Sequence, residues 1–347
     1  MNRTIERPAT GADLRHMDHA LVLARRGLGN TWPNPAVGCV IVGGPSGDRV
    51  VGRGWTQPGG RPHAEVMALA QAGAAARYAT AYVTLEPCAH HGRTPPCAEA
   101  LIQARVARVV TALTDPDPRV SGQGNAILRA AGVEVVEGVR ATEARALQRG
   151  FLSRVTQSRP MVTLKLATSF DGRIATAAGE SRWITGPAAR RHVHAMRLRH
   201  DAVMVGAGTA RADRPALNVR GFGPVRQPVR VVIASAPIPD LAAEGETHGP
   251  LWVLPPPLDE ALAEMARRGI TRVFCEGGGQ LAAGLLAGGL VDEIVGYTAG
   301  IVLGGDGRAA VAPIAMTGLA HAPRFRLVET RNLGGDIMHR WAADAEA

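Results

Sequence analysis

Aromatic residues are scarce in this sequence, which limits both its core and its partners. They make up 4 % of 347 residues, so cores that draw on 46 % apolar residues must be built mainly from Ala, Val, Leu and Ile. Single-stranded nucleic acids are bound largely by stacking on aromatic side chains. The five Trp, five Phe and three Tyr are scattered, which argues against such a partner.

Long apolar runs are also missing. A membrane-spanning helix needs roughly 20 apolar residues, and the closest stretch, "LAAGLLAGGLV", is interrupted by glycines. The first 20 residues are polar and charged, without the apolar core of a signal peptide. We therefore expect a cytoplasmic enzyme with no membrane partner.

Lysine is nearly absent, because Lys165 is the only one among 39 basic residues. The net charge of +9 comes from arginines spread along the chain, whereas nucleic-acid-binding tails cluster their charge. We therefore expect no nucleic-acid partner. Most arginines are expected on the solvated surface, with some binding a small phosphorylated substrate.

Only four cysteines are present, at uneven spacing, and in the cytoplasm such cysteines seldom form disulfides. Cys39 and Cys275 lie inside apolar runs and are expected to be small buried core residues. Cys88 and Cys97 instead flank the polar loop "AHHGRTPP" after a predicted strand. That placement favours a metal site or a catalytic role.

The length suggests two α/β domains. Residues 37–155 predict a β-hairpin followed by alternating strands and helices, hence one mixed sheet with helices on its faces. "TQSRP" (156–160) is predicted to be the link. A second α/β series follows, with two last strands within 323–342. We place the domains at 12–155 and 156–347.

The strongest chemical signal joins His63-Ala64-Glu65, at the start of a predicted helix, to the two cysteines of the polar loop. One imidazole (His63) and two thiolates (Cys88, Cys97) leave an open fourth position on Zn²⁺. Glu65 need not be a ligand and can carry a proton, as in zinc deaminases. Each half of the pattern is weak alone, but H-x-E followed by P-C-x8-C predicts a hydrolytic zinc site.

Other polar residues allow more than one interpretation. His90 could bind metal, bind substrate or line the loop, and Arg93 could hold a phosphate or be solvated. The glycine-rich turn before "QLAAGLL" follows a predicted strand and could bind a phosphate or be a tight turn. Lys165 lies mid-strand, where a buried charge is costly without a purpose, so an active-site position is favoured over a strand edge.

Several segments resemble the bifunctional deaminase–reductases of riboflavin biosynthesis. The deaminase half is matched by "TWPNPAVGCVIV", "RPHAEVMAL", "VTLEPCAHHGRTPPCAEAL" and "TDPDPRVSGQG", and the reductase half by "VTLKLATSFDGRIA", "GESRWITG", "ARRHVHAMR", "DAVMVGAGTARAD" and "LNVR". The resemblance implies an α/β fold. A cytidine-deaminase-like three-layer α/β/α domain would precede a dihydrofolate-reductase-like α/β domain.

The resemblance also implies roles for individual residues. Zinc would be held by His63, Cys88 and Cys97, with Glu65 as proton carrier. Independently of the resemblance, the cost of burying its charge makes Lys165 a candidate catalytic residue, which would assist protonation or orient the sugar in the reductase. Positions expected to bind NADPH are Ala167, Trp183, Thr209, Asp213, Ser235, Gly278, Gly279, Gln280, Leu281, Ala282, Ala283 and Gly284. Positions expected to bind substrate are Asn34, His90 and Arg93 in the first half, and Ser181, Arg197, Leu217, Arg220 and Glu276 in the second. The guanidinium forks of Arg197 and Arg220 suit a ribose phosphate.

The implied reactions are deamination of 2,5-diamino-6-(5-phosphoribosylamino)pyrimidin-4-one and NADPH-dependent reduction of the resulting ribosyl group to ribityl. We expect a homo-oligomer. Two alternatives stay open: a nucleic-acid-editing deaminase, and a deaminase whose second domain binds but no longer reduces. The second is motivated by Arg214, which stands where the family often has an acid; Phe170 likewise replaces a common leucine.

Overall fold

The computed structural model describes residues 9–44, 48–91, 95–117, 121–241 and 247–343. The chain divides into two compact units, the first ending at Gln157 and the second beginning at Ser158. Within the described residues, no helix has the length and apolar character needed to cross a membrane.

The first unit is a mixed five-stranded sheet with helices packed on it. Its strands run in the order β2-β1-β3-β4-β5; the first two neighbouring pairs are antiparallel and the last two parallel. This confirms the predicted hairpin and α/β alternation. The last helix continues through Gln157, so the first two residues of the predicted link are helical. The elements are α1 (Gly11–Ala24), β1 (Gly38–Gly43), β2 (Arg49–Trp55), α2 (Ala64–Ala72), β3 (Thr80–Val83), α3 (Cys97–Gln103), β4 (Arg108–Thr111), α4 (Gln123–Ala130), β5 (Glu134–Val136) and α5 (Ala141–Gln157).

Glycines in the first two strands let helices approach both faces of the sheet. A Cβ at Gly38 would lie 1.9 Å from the carbonyl oxygen of Ala20 in α1, and one at Gly54 would lie 2.0 Å from that of Ala64 in α2. Gly54 in β2 is paired with Cys39 in β1, so these two residues face the same side of the sheet. Gly38 is next to Cys39 in β1 and therefore faces the other side. The two helices therefore cover opposite faces, giving three layers.

Helix α1 was not among the predicted elements, although its capping sequence is visible. Thr10 accepts a hydrogen bond from the N–H of Asp13, and the carboxylate of Asp13 accepts one from the N–H of Thr10. The same carboxylate is buried against Arg108 at 2.6 Å and the hydroxyl of Tyr82 at 3.0 Å. The helix is thus fixed at its start by partners on two strands.

The second unit is built on an eight-stranded sheet in the order β10-β9-β8-β11-β6-β12-β15-β14. The strands from β10 to β12 are parallel, so their carboxyl ends share one edge, and β15 and β14 are antiparallel additions. The predicted elements are present; β7, α7 and β13 were not predicted. The elements are β6 (Met161–Thr168), β7 (Arg173–Ala175), α6 (Pro187–Leu198), β8 (Ala202–Gly206), α7 (Ala207–Asp213), β9 (Val229–Ile233), β10 (Leu251–Leu254), α8 (Leu258–Arg267), β11 (Arg272–Cys275), α9 (Gly279–Ala287), β12 (Glu293–Thr298), β13 (Arg308–Ala309), β14 (Phe325–Leu333) and β15 (Asp336–Ala343).

Asn125, in the first turn of α4, generates a stability prediction. Its side chain is buried, and among the described residues neither amide atom has a hydrogen-bond partner. Burying an unsatisfied amide costs roughly 1–3 kcal/mol. Asn125→Leu is therefore expected to raise the free energy of unfolding by about 1–2 kcal/mol. Calorimetry of the thermal transition measures it, with Asn125→Asp as the destabilised control; a Leu variant no more stable than wild type would contradict the prediction.

Candidate metal centre and reductase site

The predicted zinc ligands converge in the first unit. One donor atom each of His63, Cys88 and Cys97 lies within 4.8 Å of the others. His63 Nδ1 is 3.3 Å from the Cys97 sulfur and 3.7 Å from the Cys88 sulfur. Tetrahedral Zn²⁺ with Zn–S near 2.3 Å and Zn–N near 2.0 Å places such atoms about 3.5–3.8 Å apart. The donor set and its spacing therefore fit zinc.

Local structure explains the convergence. His63 immediately precedes α2, Cys97 is the first residue of α3, and Cys88 follows β3. The N–H of Cys97 donates to the Cys88 sulfur at 3.2 Å, and the N–H of Ala98 donates to the carbonyl of Cys88 at 3.3 Å. The Cys97 thiol and His63 lower the pKa of Cys88 to about 4, against the effect of burial. A thiolate is therefore accessible at neutral pH, as a metal ligand requires.

Glu65 lies beside this cluster in the first turn of α2. Its side chain is 3 % exposed, and burial raises its pKa, although His63 opposes that shift. A buried carboxyl group with a raised pKa holds a proton more readily than an exposed one, which suits a group that must accept and then return a proton. The remaining cysteines, Cys39 and Cys275, are fully buried, as predicted for core residues.

Two of the three predicted substrate contacts in this unit can be described. The side chain of Asn34 lies against Gly60, and Gly60 is three residues before His63. A Cβ added at Gly60 would lie 1.8 Å from the side-chain amide nitrogen of Asn34. His90 is exposed and is not part of the metal cluster among the described residues. Arg93 lies outside the described residues.

Two acids near His90 were not singled out from the sequence. Burial raises the pKa of Asp115 to about 6, while the N–H of Asp117 and nearby His90 act in the opposite direction. Glu86, two residues before Cys88, is buried and accepts hydrogen bonds from four backbone N–H groups. Both acids lie in segments that carry the family resemblance, "VTLEPCAHHGRTPPCAEAL" and "TDPDPRVSGQG". Neither belongs to a recognisable motif whose spacing would predict a function for it.

In the second unit, many of the predicted NADPH positions collect at the carboxyl edge of the parallel strands. Ala167 is at the end of β6, Thr209 and Asp213 follow β8, and Ser235 follows β9. The glycine-rich turn follows β11 and leads into α9. Open α/β sheets bind ligands at this edge.

The glycine-rich turn has the features of a phosphate-binding helix start. Gly278 is the N-cap of α9, with no side-chain cap, and its N–H donates to Thr209 at 3.2 Å. A Cβ at Gly279 would lie 2.8 Å from the carbonyl oxygen of Ala309. The first turn of α9 therefore carries backbone N–H groups that no N-cap side chain satisfies.

A half-buried charge network links three elements of this unit. Arg197 donates through Nε and Nη2 to Glu276, at 2.5 and 3.0 Å, and Lys165 Nζ is 3.9 Å from the same carboxylate. Lys165 is on an inner strand between β11 and β12, so it is not an edge lysine. Burial lowers the pKa of Lys165. Burial alone would raise the pKa of Glu276, but Arg197 and Lys165 keep it below its usual value.

This geometry differs from the expected phosphate clamp at Arg197. Two of its guanidinium nitrogens bind Glu276, and Nη1 donates to the carbonyl of Asn218 at 2.6 Å. The fork therefore holds a carboxylate of the chain itself. Arg220 is exposed and lines a cleft of about 510 Å³ together with Asn218 and Gln227.

The remaining predicted cofactor and substrate positions lie in the connections between β7 and α6 and between α7 and β9. Ser181 and Trp183 precede α6, where the indole of Trp183 is 67 % exposed and lies 4.5 Å from the Arg190 guanidinium. Leu217 follows α7 and is buried.

Comparison with known families agrees with both halves. Residues 11–113 match the cytidine and deoxycytidylate deaminase zinc-binding region, and residues 160–339 match the RibD C-terminal domain. The riboflavin biosynthesis protein RibD of Escherichia coli is 42 % identical over 368 residues, covering 94 % of this chain and 98 % of that protein. The chain belongs to the RibD family. The same-named Mycobacterium tuberculosis protein is 42 % identical over 323 residues, covering 89 % of this chain and 91 % of its own.

Solved structures agree with this assignment. Acinetobacter baumannii RibD, form 2, superposes with a TM-score of 0.86 at 40 % identity, covering 96 % of this chain and 99 % of that one. A Thermotoga maritima diaminohydroxyphosphoribosylaminopyrimidine deaminase/5-amino-6-(5-phosphoribosylamino)uracil reductase gives 0.83 at 32 % identity, with the same coverage. The predicted cytidine-deaminase-like and dihydrofolate-reductase-like fold classes are therefore confirmed. A second domain that has lost reduction is not favoured.

The contact between Gly54 and α2 generates a prediction about the metal centre. A Cβ at Gly54 would meet two backbone atoms of α2, the oxygen of Ala64 at 2.0 Å and the nitrogen of Ala68 at 2.7 Å. Gly54→Ala must therefore displace the helix that follows His63 and carries Glu65. We expect zinc affinity to fall about 10- to 100-fold, measured by competition with a chelator.

Gly11→Ala in α1 is the matched control, because its nearest contact would be a flexible arginine tip at 3.8 Å. Wild-type zinc affinity in a folded Gly54→Ala variant would show that the contact does not position the ligands.

Proposed function

We propose that this chain catalyses two consecutive steps of riboflavin biosynthesis. The first unit deaminates 2,5-diamino-6-(5-phosphoribosylamino)pyrimidin-4-one, and the second reduces the ribosyl group of 5-amino-6-(5-phosphoribosylamino)uracil to ribityl with NADPH. The observation that carries the proposal is the cluster of His63, Cys88 and Cys97 beside buried Glu65, in a chain that matches RibD proteins over 94 % of its length.

In the deaminase unit, zinc would be held by His63, Cys88 and Cys97. When bound, it supplies the Lewis acidity that lets water lose a proton near neutral pH. Glu65 accepts that proton and passes it to the exocyclic amine, so that water adds to the ring carbon and ammonia leaves. Burial favours this shuttle because the raised pKa lets one carboxyl group serve in both directions.

Asn34 and His90 flank this centre and are proposed to contact the pyrimidine or its ribose phosphate. Arg93 is proposed to bind the same substrate, on the basis of the family resemblance alone. The substrate is thus a small phosphorylated pyrimidine rather than a nucleic acid, which accords with the scarcity of aromatic residues.

In the reductase unit, the first turns of α9 (residues 278–284) and the residues at or after the ends of β6, β8 and β9 are proposed to hold NADPH, which supplies the hydride for C1′. Lys165 donates a proton to the ring oxygen as the C1′–O bond breaks. Glu276 keeps the ammonium in place, and Arg197 keeps Glu276 in place. Arg220 is the proposed phosphate contact, since it lines the cleft beside Asn218.

A pair of reciprocal variants tests the two activities on one chain. Glu65→Gln should keep its zinc and lower ammonia release by about 10²- to 10⁴-fold, because the proton carrier is lost, while NADPH oxidation with the deaminated substrate is unchanged. Lys165→Met should lower NADPH oxidation with the deaminated substrate and leave ammonia release unchanged. Zinc content, ammonia release and NADPH oxidation are measured on the same preparation of each variant.

Each variant is the control for the other unit. Wild-type ammonia release from Glu65→Gln would refute the proton-carrier role. Wild-type NADPH oxidation by Lys165→Met would remove Lys165 from the reduction.

We also propose that the chain works in the cytoplasm as a homo-oligomer. Support for self-association comes from β14, an outermost strand of nine residues on which Leu327 and Val328 are exposed. Long exposed edge strands are usually paired or covered. Sedimentation in the analytical ultracentrifuge should give a mass above the 36.3 kDa of one chain. The Val328→Lys variant should sediment with a lower mass than the wild type. A monomeric wild type would contradict the proposal.

A further inference from the structure

Glu86 forms a connection that the proposed mechanism does not use. Its side chain is 4 % exposed and lies two residues before Cys88. One carboxylate oxygen accepts hydrogen bonds from the N–H groups of Asp115 at 3.1 Å and Gly122 at 2.9 Å. The other accepts from those of Gly124 at 2.9 Å and Asn125 at 3.3 Å. We call this four-bond arrangement the Glu86 clamp.

The four N–H groups lie on both sides of one connection. Asp115 follows β4, and the other three belong to the start of α4, which has no side-chain cap from its own N-cap residue, Gly122. The first N–H groups of a helix have no partner inside the helix and carry partial positive charge. A carboxylate from a different segment therefore satisfies the helix start and ties both ends of the β4–α4 connection to one point.

The clamp also joins this connection to the metal-ligand segment by direct packing. A Cβ at Gly124 would lie 1.9 Å from the carbonyl oxygen of Pro87, the residue between Glu86 and Cys88. The N–H of Glu86 in turn donates to the carbonyl of Leu113 at 2.8 Å. The start of α4 and the ligand segment are thus in backbone contact, with no room for adjustment between them.

Through its backbone N–H, the clamp also holds Asp115, which carries a buried carboxyl group. That group is buried, accepts a hydrogen bond from the N–H of Asp117 at 2.9 Å, and is an electrostatic neighbour of His90. The metal ligand Cys88 has separate anchors on α3, from the N–H groups of Cys97 and Ala98. Loss of the clamp should therefore move Asp115 and the start of α4 and leave the metal in place.

We propose that Glu86 is a positioning residue of the deaminase site, which fixes Asp115 and the start of α4 against the segment that carries Cys88 and His90. The inference rests on the proposed deaminase function. It separates two tasks: α2 and α3 hold the metal and the proton carrier, and Glu86 holds Asp115, the electrostatic neighbour of His90.

Glu86→Gln tests the proposal on the full chain. An amide keeps one acceptor oxygen and turns an N–H₂ group toward two backbone donors, so at least two bonds are lost. We expect the deaminase KM to rise about tenfold or more, with kcat changed by less than about threefold. Zinc content should stay at the wild-type level, as should NADPH oxidation. Amide hydrogen exchange of the peptide covering 113–125 should become faster.

Two further variants separate positioning from stability. Glu86→Asp keeps the charge with a shorter reach and should restore KM part of the way; it also serves if Glu86→Gln does not fold. Asp13→Asn removes another buried carboxylate that accepts a backbone N–H in the same unit, away from the clamp, and should lower the melting temperature without raising KM.

Unchanged KM and unchanged exchange in Glu86→Gln would overturn the proposal, as would an equal rise in KM in Asp13→Asn. Absence of ammonia release from the wild type is a failure of the proposed function instead. The clamp is then judged by the exchange of the 113–125 peptide alone, where wild-type protection in Glu86→Gln overturns it.

Discussion

The packing of α2 on the glycines of β2 is the constraint on which the metal centre depends. Gly54 leaves the backbone of Ala64 in contact with the sheet, and Ala64 stands between His63 and Glu65. The distance of α2 from the sheet therefore determines the positions of both the His63 imidazole and the Glu65 carboxyl group. The two sulfurs are brought to the same place by α3, through hydrogen bonds from its first two N–H groups to Cys88.

The second unit solves a different electrostatic problem. Lys165 on β6 and Arg197 on α6 share one half-buried carboxylate, that of Glu276, which follows β11. A buried charge is tolerated when it is paired and hydrogen-bonded, and removing one partner leaves the others exposed to the full cost of burial. The network thus keeps the amino group of Lys165, in the middle of β6, beside the carboxylate of Glu276, which follows β11.

Much of the first site could be predicted from the sequence because its ligands belong to short motifs at element boundaries. His63, Cys88 and Cys97 each lie at the start of a helix or just after a strand, which spacing can suggest. The pairing of Arg197 with Glu276 could not be predicted, since the two are separated by 79 positions and meet only through the order of the strands. Glu86 was missed for a related reason: its partners are backbone N–H groups, which leave no side-chain signature. Helix α1 was missed although the Thr10–Asp13 capping pair is written in its sequence.

The position of the single lysine has a practical consequence. Lys165 lies in the second unit, so the first unit contains no ε-amino group. Amine-directed reagents, such as activated esters or pyridoxal compounds, can therefore block a side-chain amine only in the hydride-transfer half, and the α-amino group is the other amine that they modify. Covalent labelling of the unmodified chain would thus dissect a two-step catalyst chemically, with the hydrolytic half as an internal standard.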